Sequence, residues 1–381
     1  MIMIDHRNFL DKEERKIKTH PSFPPPFKWG RKEGVKGGFV FARQLSRILS
    51  IDYYVPDEVV RTIDIEKKLQ FKERFGLPYG ILTKMTGCKE HHEAREKMDA
   101  SDLAAKAAKK ALKKAKIKPE DIDLLLFCAC DHDITEPATV NIVAEKLGIK
   151  GISAFDVKNA CNSFINGLDI ADAMIKSNKA RCALVTTGEV ITNWVSYDIN
   201  KKDDLKLKAA GLTLGDGGAA AIIVPSESEK CGILDSCFET YGEFWRIAVV
   251  MAHGTMYPRY PEDVDLTYFL SDSEKILELA LEKIPPLMKK VMQRVGWNPE
   301  DVDLVIGHQV TIKIMRDILN RVNIPFEKTV VTVDRYGNTG AASIPIALCT
   351  AIEQGRLSPG MKVLLVGGAS GFSAGVIALI W

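Results

Sequence analysis

The chain has 381 residues, of which 46% are hydrophobic and 27% are charged, so it can bury a substantial core in two or three domain-sized units. Its formal net charge of +2 gives no reason to expect a nucleic-acid partner, and its apolar runs are too short to span a bilayer. The eight cysteines do not form the framework of a small disulfide-rich secreted protein. We therefore expect a soluble, cytoplasmic protein with reduced thiols.

Residues 1–46 differ in composition from the rest of the chain. They contain ten Lys or Arg against five Asp or Glu, and they include the stretch "HPSFPPPFKWGRKEGVKGG". The proline run favours an extended polyproline conformation, and the glycines interrupt any regular element. We predict a basic N-terminal extension that runs as an irregular arm over the surface or across a subunit boundary; binding of a specific partner is the alternative.

Two short polar clusters have simple interpretations. His91 and His92 are adjacent and are expected to be solvated. The stretch "FCACDHD" contains residue types that bind metals, namely Cys128, Cys130, Asp131 and His132. Because adjacent strand residues point to opposite faces and no second cluster is present, we expect no metal site.

Two segments share one pattern: "ALKKAKIKPEDIDLLLFCAC" and "LMKKVMQRVGWNPEDVDLVIGHQV". In each, a helix runs into a Pro-Glu-Asp turn, at Pro119 and Pro299, and a buried strand follows. Each is then followed by a predicted strand, a turn, a buried helix and a strand, with Asp156 and Asp334 at matching places. The order predicts an α/β fold with two similar halves, residues 47–230 and 231–381, whose equivalent turns face one cleft.

Three residues with useful chemistry fall at these equivalent turns. Cys161 precedes apolar residues at helical spacing, so we expect it in the first turn of a buried helix, where the helix dipole favours the nucleophilic thiolate. His308 ends the buried strand of the second repeat, and Asn338 lies in the second special turn. Each alone fits a structural role, but together they supply a nucleophile and two donors for a carbonyl oxygen that becomes negative.

The chain resembles 3-oxoacyl-acyl-carrier-protein synthase III and its relatives in the thiolase superfamily. The resemblance rests on "GIKGISAFDVKNACNSF", "LGDGGAAA", "GHQVTIKI" and "VVTVDRYGNTGAASIPIAL", and it runs in order from about Arg47 to Trp381. It implies a thiolase fold with αβαβα layers, a homodimer, and a catalytic triad of Cys161, His308 and Asn338. No permanently bound cofactor is implied, and the substrates are thioesters of coenzyme A or of an acyl carrier protein.

The resemblance also implies a mechanism. Cys161 takes an acyl group from a thioester, His308 and Asn338 stabilise the enolate of a second substrate, and a carbon–carbon bond forms. Backbone N–H groups of Cys161 and of the "GGASGF" turn, about Ser370, form the oxyanion hole. Ile81, Met85 and Thr311 stand where synthase III has its tryptophan, arginine and "HQAN" asparagine, so standard coenzyme A recognition is not expected.

A second relative matches other positions: the enzyme of bacterial long-chain olefin biosynthesis that condenses two fatty acyl-CoAs head to head. The resemblance lies in "ERFGLPYGILTKMTG", "NACNSFINGLDIADAMI" and the "EP" of "DITEPATVNIV". It implies that Glu136 enters the active site of the neighbouring subunit as the base that removes an α-proton. The alternative is that Glu136 and Pro137 form an ordinary helix start, at which the Glu136 carboxylate caps the positive end of the helix dipole.

The sequence leaves several activities open within this resemblance. The first is non-decarboxylative condensation of two acyl-CoAs, and the second is decarboxylative condensation with a malonyl donor. A reaction like that of 3-hydroxy-3-methylglutaryl-CoA synthase and an inactive partner subunit are further alternatives, although inactive subunits generally lack the cysteine.

Overall fold

The computed structural model describes residues 45–94, 98–228, 230–252, 254–257 and 264–381. The predicted N-terminal extension therefore lies outside the described residues, except for Leu45 and Ser46. Within the described residues the strands are β1 (Ser46–Tyr54), β2 (Glu58–Arg61), β3 (Glu90–Glu93), β4 (Leu124–Cys128), β5 (Ser153–Val157), β6 (Ala183–Glu189), β7 (Gly217–Pro225), β8 (Gly232–Thr240), β9 (Ala248–Val249), β10 (Leu270–Ser271), β11 (Leu304–Gly307), β12 (Lys362–Ala369) and β13 (Ser373–Ile380).

The helices of the same residues lie between groups of these strands. They are α1 (Thr62–Lys68), α2 (Phe71–Phe75), α3 (Ile81–Thr86), α4 (Ala100–Ala115), α5 (Thr139–Leu147), α6 (Ser163–Lys176), α7 (Lys202–Lys208), α8 (Ser273–Arg294), α9 (Ile312–Arg321), α10 (Val333–Tyr336) and α11 (Ser343–Glu353). The two Pro-Glu-Asp turns are short 3-10 helices at Pro119–Asp121 and Pro299–Asp301.

Each repeat builds one mixed sheet. The first sheet has the order β1-β7-β6-β4-β5, with β4 parallel to both β5 and β6. The second has the order β11-β12-β13-β8, with β11 parallel to β12 and the other pairs antiparallel. Because parallel strands end at the same edge, the turns after β4 and β5 lie at one edge of the first sheet.

The alternation of buried residues along the strands produces five layers. On β4, Leu124 and Leu126 face α6 and α11 in the central layer, whereas Leu125 and Phe127 face α4 and α5 outside. Helices α8 and α9 cover the outer face of the second sheet. This is the αβαβα arrangement expected from the sequence, and residues of both halves share its central layer.

One predicted strand does not form. The stretch "TVVTVD" was expected to match β5, but it makes only a single bridge between Val305 and Thr329. Side chains replace the ladder: the Thr329 hydroxyl donates to the Val305 carbonyl, and buried Gln309 donates to the Val330 carbonyl and accepts from the Thr332 N–H. The prediction was wrong because these side-chain bonds satisfy the backbone without a neighbouring strand.

The expectation for the paired histidines was also wrong. His91 lies on β3 and is buried, with its Nε2 at 3.1 Å from the Glu93 carboxylate. His92 is half-buried, packs against the Tyr336 ring with centroids 5.4 Å apart, and is hydrogen-bonded through Nδ1 to the Pro56 carbonyl. Strand β3 lies beneath the turn that carries Asn338, because a Cβ built on Gly337 would come within 3.0 Å of the His91 Cβ. Neither histidine is therefore freely solvated.

Candidate active site

An apolar cavity of about 470 Å³ lies where α8 and α9 cover the second sheet. Its wall includes Cys161, His308 and Asn338, so the structure brings the three predicted residues to one cavity. Ser370, from the turn between β12 and β13, lines the same cavity. The rest of the wall is mainly aliphatic, which suits a hydrocarbon chain.

Cys161 lies in a tight turn between β5 and α6. The helix begins at Ser163, with Asn162 as its N-cap, so Cys161 precedes the first helical turn by two residues instead of lying in it. Ala160 adopts a left-handed φ of 46°, a conformation that residues with a side chain rarely adopt. The Ser163 hydroxyl holds the turn: it accepts from the Asn159 N–H at 2.8 Å and donates to the Ala160 carbonyl at 2.7 Å.

His308 follows β11 directly and is buried. Its backbone N–H donates to the Val366 carbonyl at 2.9 Å, and its Nδ1 lies 2.5 Å from the Ser343 hydroxyl. Burial lowers the pKa of the imidazole from 6.5 to about 4, so the ring is neutral near pH 7. When the Ser343 hydroxyl donates to Nδ1, the single ring proton lies on Nε2, which is then a donor.

Asn338 is held by a short backbone bridge to the first half of the chain. Its N–H donates to the Thr213 carbonyl at 2.8 Å, and its carbonyl accepts from the Gly215 N–H at 3.0 Å. The Asn338 Oδ1 accepts from the Gly340 N–H at 3.1 Å, which leaves Nδ2 as the amide atom able to donate to a ligand. Gly337 has a φ of 66°, and a Cβ there would lie 2.5 Å from the Thr213 carbonyl oxygen, so this turn requires glycine.

Glu136 does not reach this cavity within the single chain. It is exposed, in the loop between β4 and α5, and it does not line the cavity. It does not cap α5 either, because the Asp156 carboxylate accepts from the N–H groups of Thr139 and Val140, both at 2.8 Å. The helix-cap alternative is therefore wrong.

The cavity opens beside α3 and the start of α9. Exposed Met85 and half-buried Thr311 line it, and the Thr311 hydroxyl also caps α9 by accepting from the Ile314 N–H at 3.0 Å. Ile81, the first residue of α3, is half-buried. Exposed Lys84 and Lys313 lie beside this mainly apolar opening, and Lys313 also forms an ion pair with Asp317 at 2.6 Å.

Sequence reasoning missed the residues that hold the site together. The sequence predicts no separate role for Ser343, yet its hydroxyl contacts the His308 ring. Gln309 fixes the chain after His308 through four hydrogen bonds to backbone groups. A polar residue at the start of an otherwise apolar helix, as in "AASIPIAL", was the available signal for Ser343.

The described residues contain no group of three or more His, Cys, Asp or Glu placed to hold a metal ion. Cys128 packs in the central layer against α6, where a Cβ on Gly167 would come within 2.3 Å of its sulfur. Across the same described residues, no helix is both long and apolar enough to cross a membrane.

Comparison with known proteins agrees with the fold. Residues 155–242 match the family description 3-oxoacyl-[acyl-carrier-protein] synthase III, residues 292–381 match its C-terminal part, and residues 66–196 match stage V sporulation protein AD. The chain is 31% identical over 334 residues to beta-ketoacyl-[acyl-carrier-protein] synthase III of Aquifex aeolicus, covering 88% of this chain and 99% of the relative. The corresponding Listeria monocytogenes protein is 32% identical over 337 residues, covering 88% and 98%.

A solved structure of Xanthomonas campestris OleA, a head-to-head condensing enzyme, with bound lauric acid and lauroyl-CoA superposes with a TM-score of 0.80 at 28% identity. That match covers 89% of this chain and 100% of the other. The fold and these matches define a condensing acyltransferase of the thiolase superfamily. The chain belongs to the 3-oxoacyl-acyl-carrier-protein synthase III family.

Proposed function

We propose that this chain condenses acyl thioesters through an acyl group carried on Cys161. The supporting observation is that Cys161, His308 and Asn338 line one apolar cavity. In the first step the Cys161 sulfur attacks the thioester carbonyl, the carbon–sulfur bond to the carrier breaks, and the carrier thiol leaves with a proton. The aliphatic wall of the cavity then holds the acyl chain.

In the second step a carbanion of another thioester attacks the acyl-cysteine carbonyl. Neutral His308 and the Nδ2 of Asn338 donate hydrogen bonds to the enolate oxygen of this second substrate. The N–H groups of Cys161 and Ser370 hold the oxyanion of the tetrahedral intermediate. Collapse of that intermediate breaks the bond to Cys161 and releases a 3-oxoacyl thioester. Neither step requires a bound cofactor or metal.

We propose Glu136 of a second subunit as the base that forms the carbanion from an unactivated acyl-CoA. An acyl-CoA must lose an α-proton, whereas a malonyl donor forms its carbanion by losing CO₂. Glu136 is exposed and is not used as a helix cap, so its carboxylate is available to a neighbouring molecule. β5 supports such a neighbour, because it is an edge strand of the first sheet and its Phe155 is 38% exposed.

A decarboxylative reaction with a malonyl donor is the second candidate. It is favoured by the relatives in Aquifex aeolicus and Listeria monocytogenes, both named beta-ketoacyl-[acyl-carrier-protein] synthase III. The cationic side chains of Lys84 and Lys313 suit phosphate groups. Coenzyme A and the prosthetic group of an acyl carrier protein both contain phosphate, so each is a candidate carrier of the acyl group. A homodimer that acts in the cytoplasm is part of both candidates.

The first experiment follows covalent acylation. Purified protein is incubated with acyl-CoAs of increasing length, and the intact mass is measured with and without malonyl donors. We expect an acyl adduct on the native chain and on a Cys231→Ala control, but no adduct and no 3-oxo product from Cys161→Ala. A 3-oxo product formed by Cys161→Ala would refute the proposal.

The second experiment separates the two sources of carbanion. Glu136→Gln is expected to abolish condensation of two acyl-CoAs and to leave any malonyl-dependent reaction intact, because only the first needs a base. Glu145→Gln, an exposed glutamate on the neighbouring helix, serves as the control. Unchanged condensation of two acyl-CoAs by Glu136→Gln would remove Glu136 from the mechanism.

A further inference from the structure

Glu189 is a buried carboxylate that the proposed reaction does not use. It is the last residue of β6, it is 0% exposed, and it does not line the cavity. Among the described residues no cationic side chain forms an ion pair with it. Burial raises the pKa of the Glu189 carboxyl well above its usual value, while N–H donors from Cys130 and Ala341 act in the opposite direction. A buried acid without a cation is costly, so its contacts are informative.

The contacts of Glu189 join the two halves of the site. Its Oε1 accepts from the Cys130 N–H at 2.9 Å and from the Ala341 N–H at 3.0 Å, and its Oε2 accepts from the Asp131 N–H at 3.2 Å. Cys130 and Asp131 begin the loop that leads to Glu136, whereas Ala341 lies three residues after Asn338. One carboxylate therefore ties the loop of the first half to the Asn338 turn of the second.

The space around this carboxylate is closely filled. A Cβ on Gly340 would lie 3.1 Å from the Glu189 Oε1 and 3.2 Å from the Cys130 sulfur. The neighbouring Cys161 thiol, together with burial, raises the pKa of the Cys130 thiol well above its usual value, so Cys130 lies next to the nucleophile. A displacement of Glu189 is thus passed directly to the Asn338 turn and to the residue beside the nucleophile.

We propose that Glu189 is a positioning residue that fixes the Asn338 turn and the loop of Cys130 against Cys161, and so controls the attack of the second substrate on the acyl-enzyme. This inference rests on the proposed function, because it assigns Asn338 to the condensation step. Glu189 touches neither substrate nor nucleophile. It acts through backbone N–H groups of both halves: Cys130 and Ala341 donate to one of its oxygens, and Asp131 donates to the other.

The test compares the two half-reactions in the variant Glu189→Gln. The Gln side chain keeps the shape of Glu and one acceptor oxygen. Its amide NH₂ group, however, faces one of the backbone N–H groups that donate to Glu189 in the native chain. We expect the rate of Cys161 acylation to stay within about 3-fold of the native rate, while the kcat of condensation falls about 10- to 100-fold with little change in KM.

Asp123→Asn is the matched control. The Asp123 carboxylate also bridges backbone N–H groups, of Arg181 at 2.8 Å and Cys182 at 3.0 Å, but it does so before β4 and β6, away from the site. We expect both half-reactions of this variant to stay close to native. Rates are expressed per reactive Cys161, counted by mass spectrometry of the iodoacetamide-labelled Cys161 peptide because Cys231 and Cys237 are also free and partly exposed. A smaller folded fraction then does not imitate the effect.

The outcomes are distinguishable. Acylation and condensation that fall in equal proportion, or that both remain native, would overturn the positioning role of Glu189. Failure of the native chain to acylate Cys161 would instead overturn the proposed function. If Glu189→Gln does not fold, Glu189→Asp is measured in the same way: its shorter carboxylate withdraws from the Ala341 N–H, and selective loss of condensation is again the expected result.

Discussion

The protonation of His308 is set by its burial. An unfolded histidine binds a proton near pH 6.5, whereas this ring stays neutral until the pH falls to about 4, because charging it would require desolvating an imidazolium. Between these values the unfolded chain binds the extra proton, so acidification favours unfolding. Across the physiological range the residue is therefore a neutral hydrogen-bond donor and not a cation.

This predicts a measurable pH dependence of stability. Relative to a His308→Asn variant, the native chain should lose about 3 kcal/mol of unfolding free energy between pH 7 and pH 4. Denaturant titrations of both chains at a series of pH values measure the difference. Parallel curves for the two chains over that interval would contradict the assignment.

Ser343 gives a second prediction at this scale. Ser343→Ala leaves the buried Nδ1 of His308 without its partner, so we expect a loss of about 1–3 kcal/mol in stability and a slower condensation step. Thr350→Val on the same helix removes a buried hydroxyl that bonds only within the helix, to the Ile346 carbonyl. That control should lose stability without a selective loss of condensation. Equal catalytic effects of the two substitutions would argue against an orienting role for Ser343.

At the scale of elements, α8 forms one wall of the cavity. Its cavity-lining residues Ile276, Ala280, Ile284 and Met288 recur every four positions, so one helical face runs along the space. Under the proposed function, we expect the side chains of this face to limit the length of the acyl chain that the cavity accepts.

We predict that Ala280→Phe shifts acylation toward shorter acyl-CoAs, because the ring occupies part of a cavity of about 470 Å³. A stability loss of about 1–3 kcal/mol is also expected from overpacking. Acylation of Cys161 is measured by mass spectrometry across a series of chain lengths. Leu281→Phe, on the same helix but outside the cavity wall, should leave the preference unchanged; the same shift in both variants would show that the cavity is not the cause.

The sequence predicted the elements well where pattern and local chemistry agree. The repeated Pro-Glu-Asp turns and the apolar stretches after them predict strands β4 and β11. The prediction that Cys161, His308 and Asn338 lie close together agrees with the cavity that all three residues line. The strand predicted at "TVVTVD" does not form because Gln309, 21 or more positions away, supplies hydrogen bonds to this stretch. Residues that far apart are not compared when a short stretch of sequence is used for prediction. For the same reason Glu189 was not found: its partners lie 58 to 152 positions away.

At the scale of the whole molecule, the open side of β5 predicts self-association. Phe155→Lys places a charge on this edge strand, so we expect monomers and a loss of two-acyl-CoA condensation while Cys161 acylation persists. Sedimentation velocity measures the assembly state. Leu207→Lys, at another exposed apolar residue on α7, is the control and should remain associated. Native-like association of Phe155→Lys would place the interface elsewhere.

The two halves of the chain differ at the position of the edge strand β5. β5 provides an edge strand in the first half, whereas the described part of the second half has a single bridge at the matching place, with the backbone already bonded to Gln309. A second copy that joins through β5 pairs that strand with itself, so the contact is isologous and consumes the edge in both copies. Assembly through this edge therefore ends at a dimer. A higher protein concentration is expected to increase the fraction of dimers without producing larger assemblies through β5.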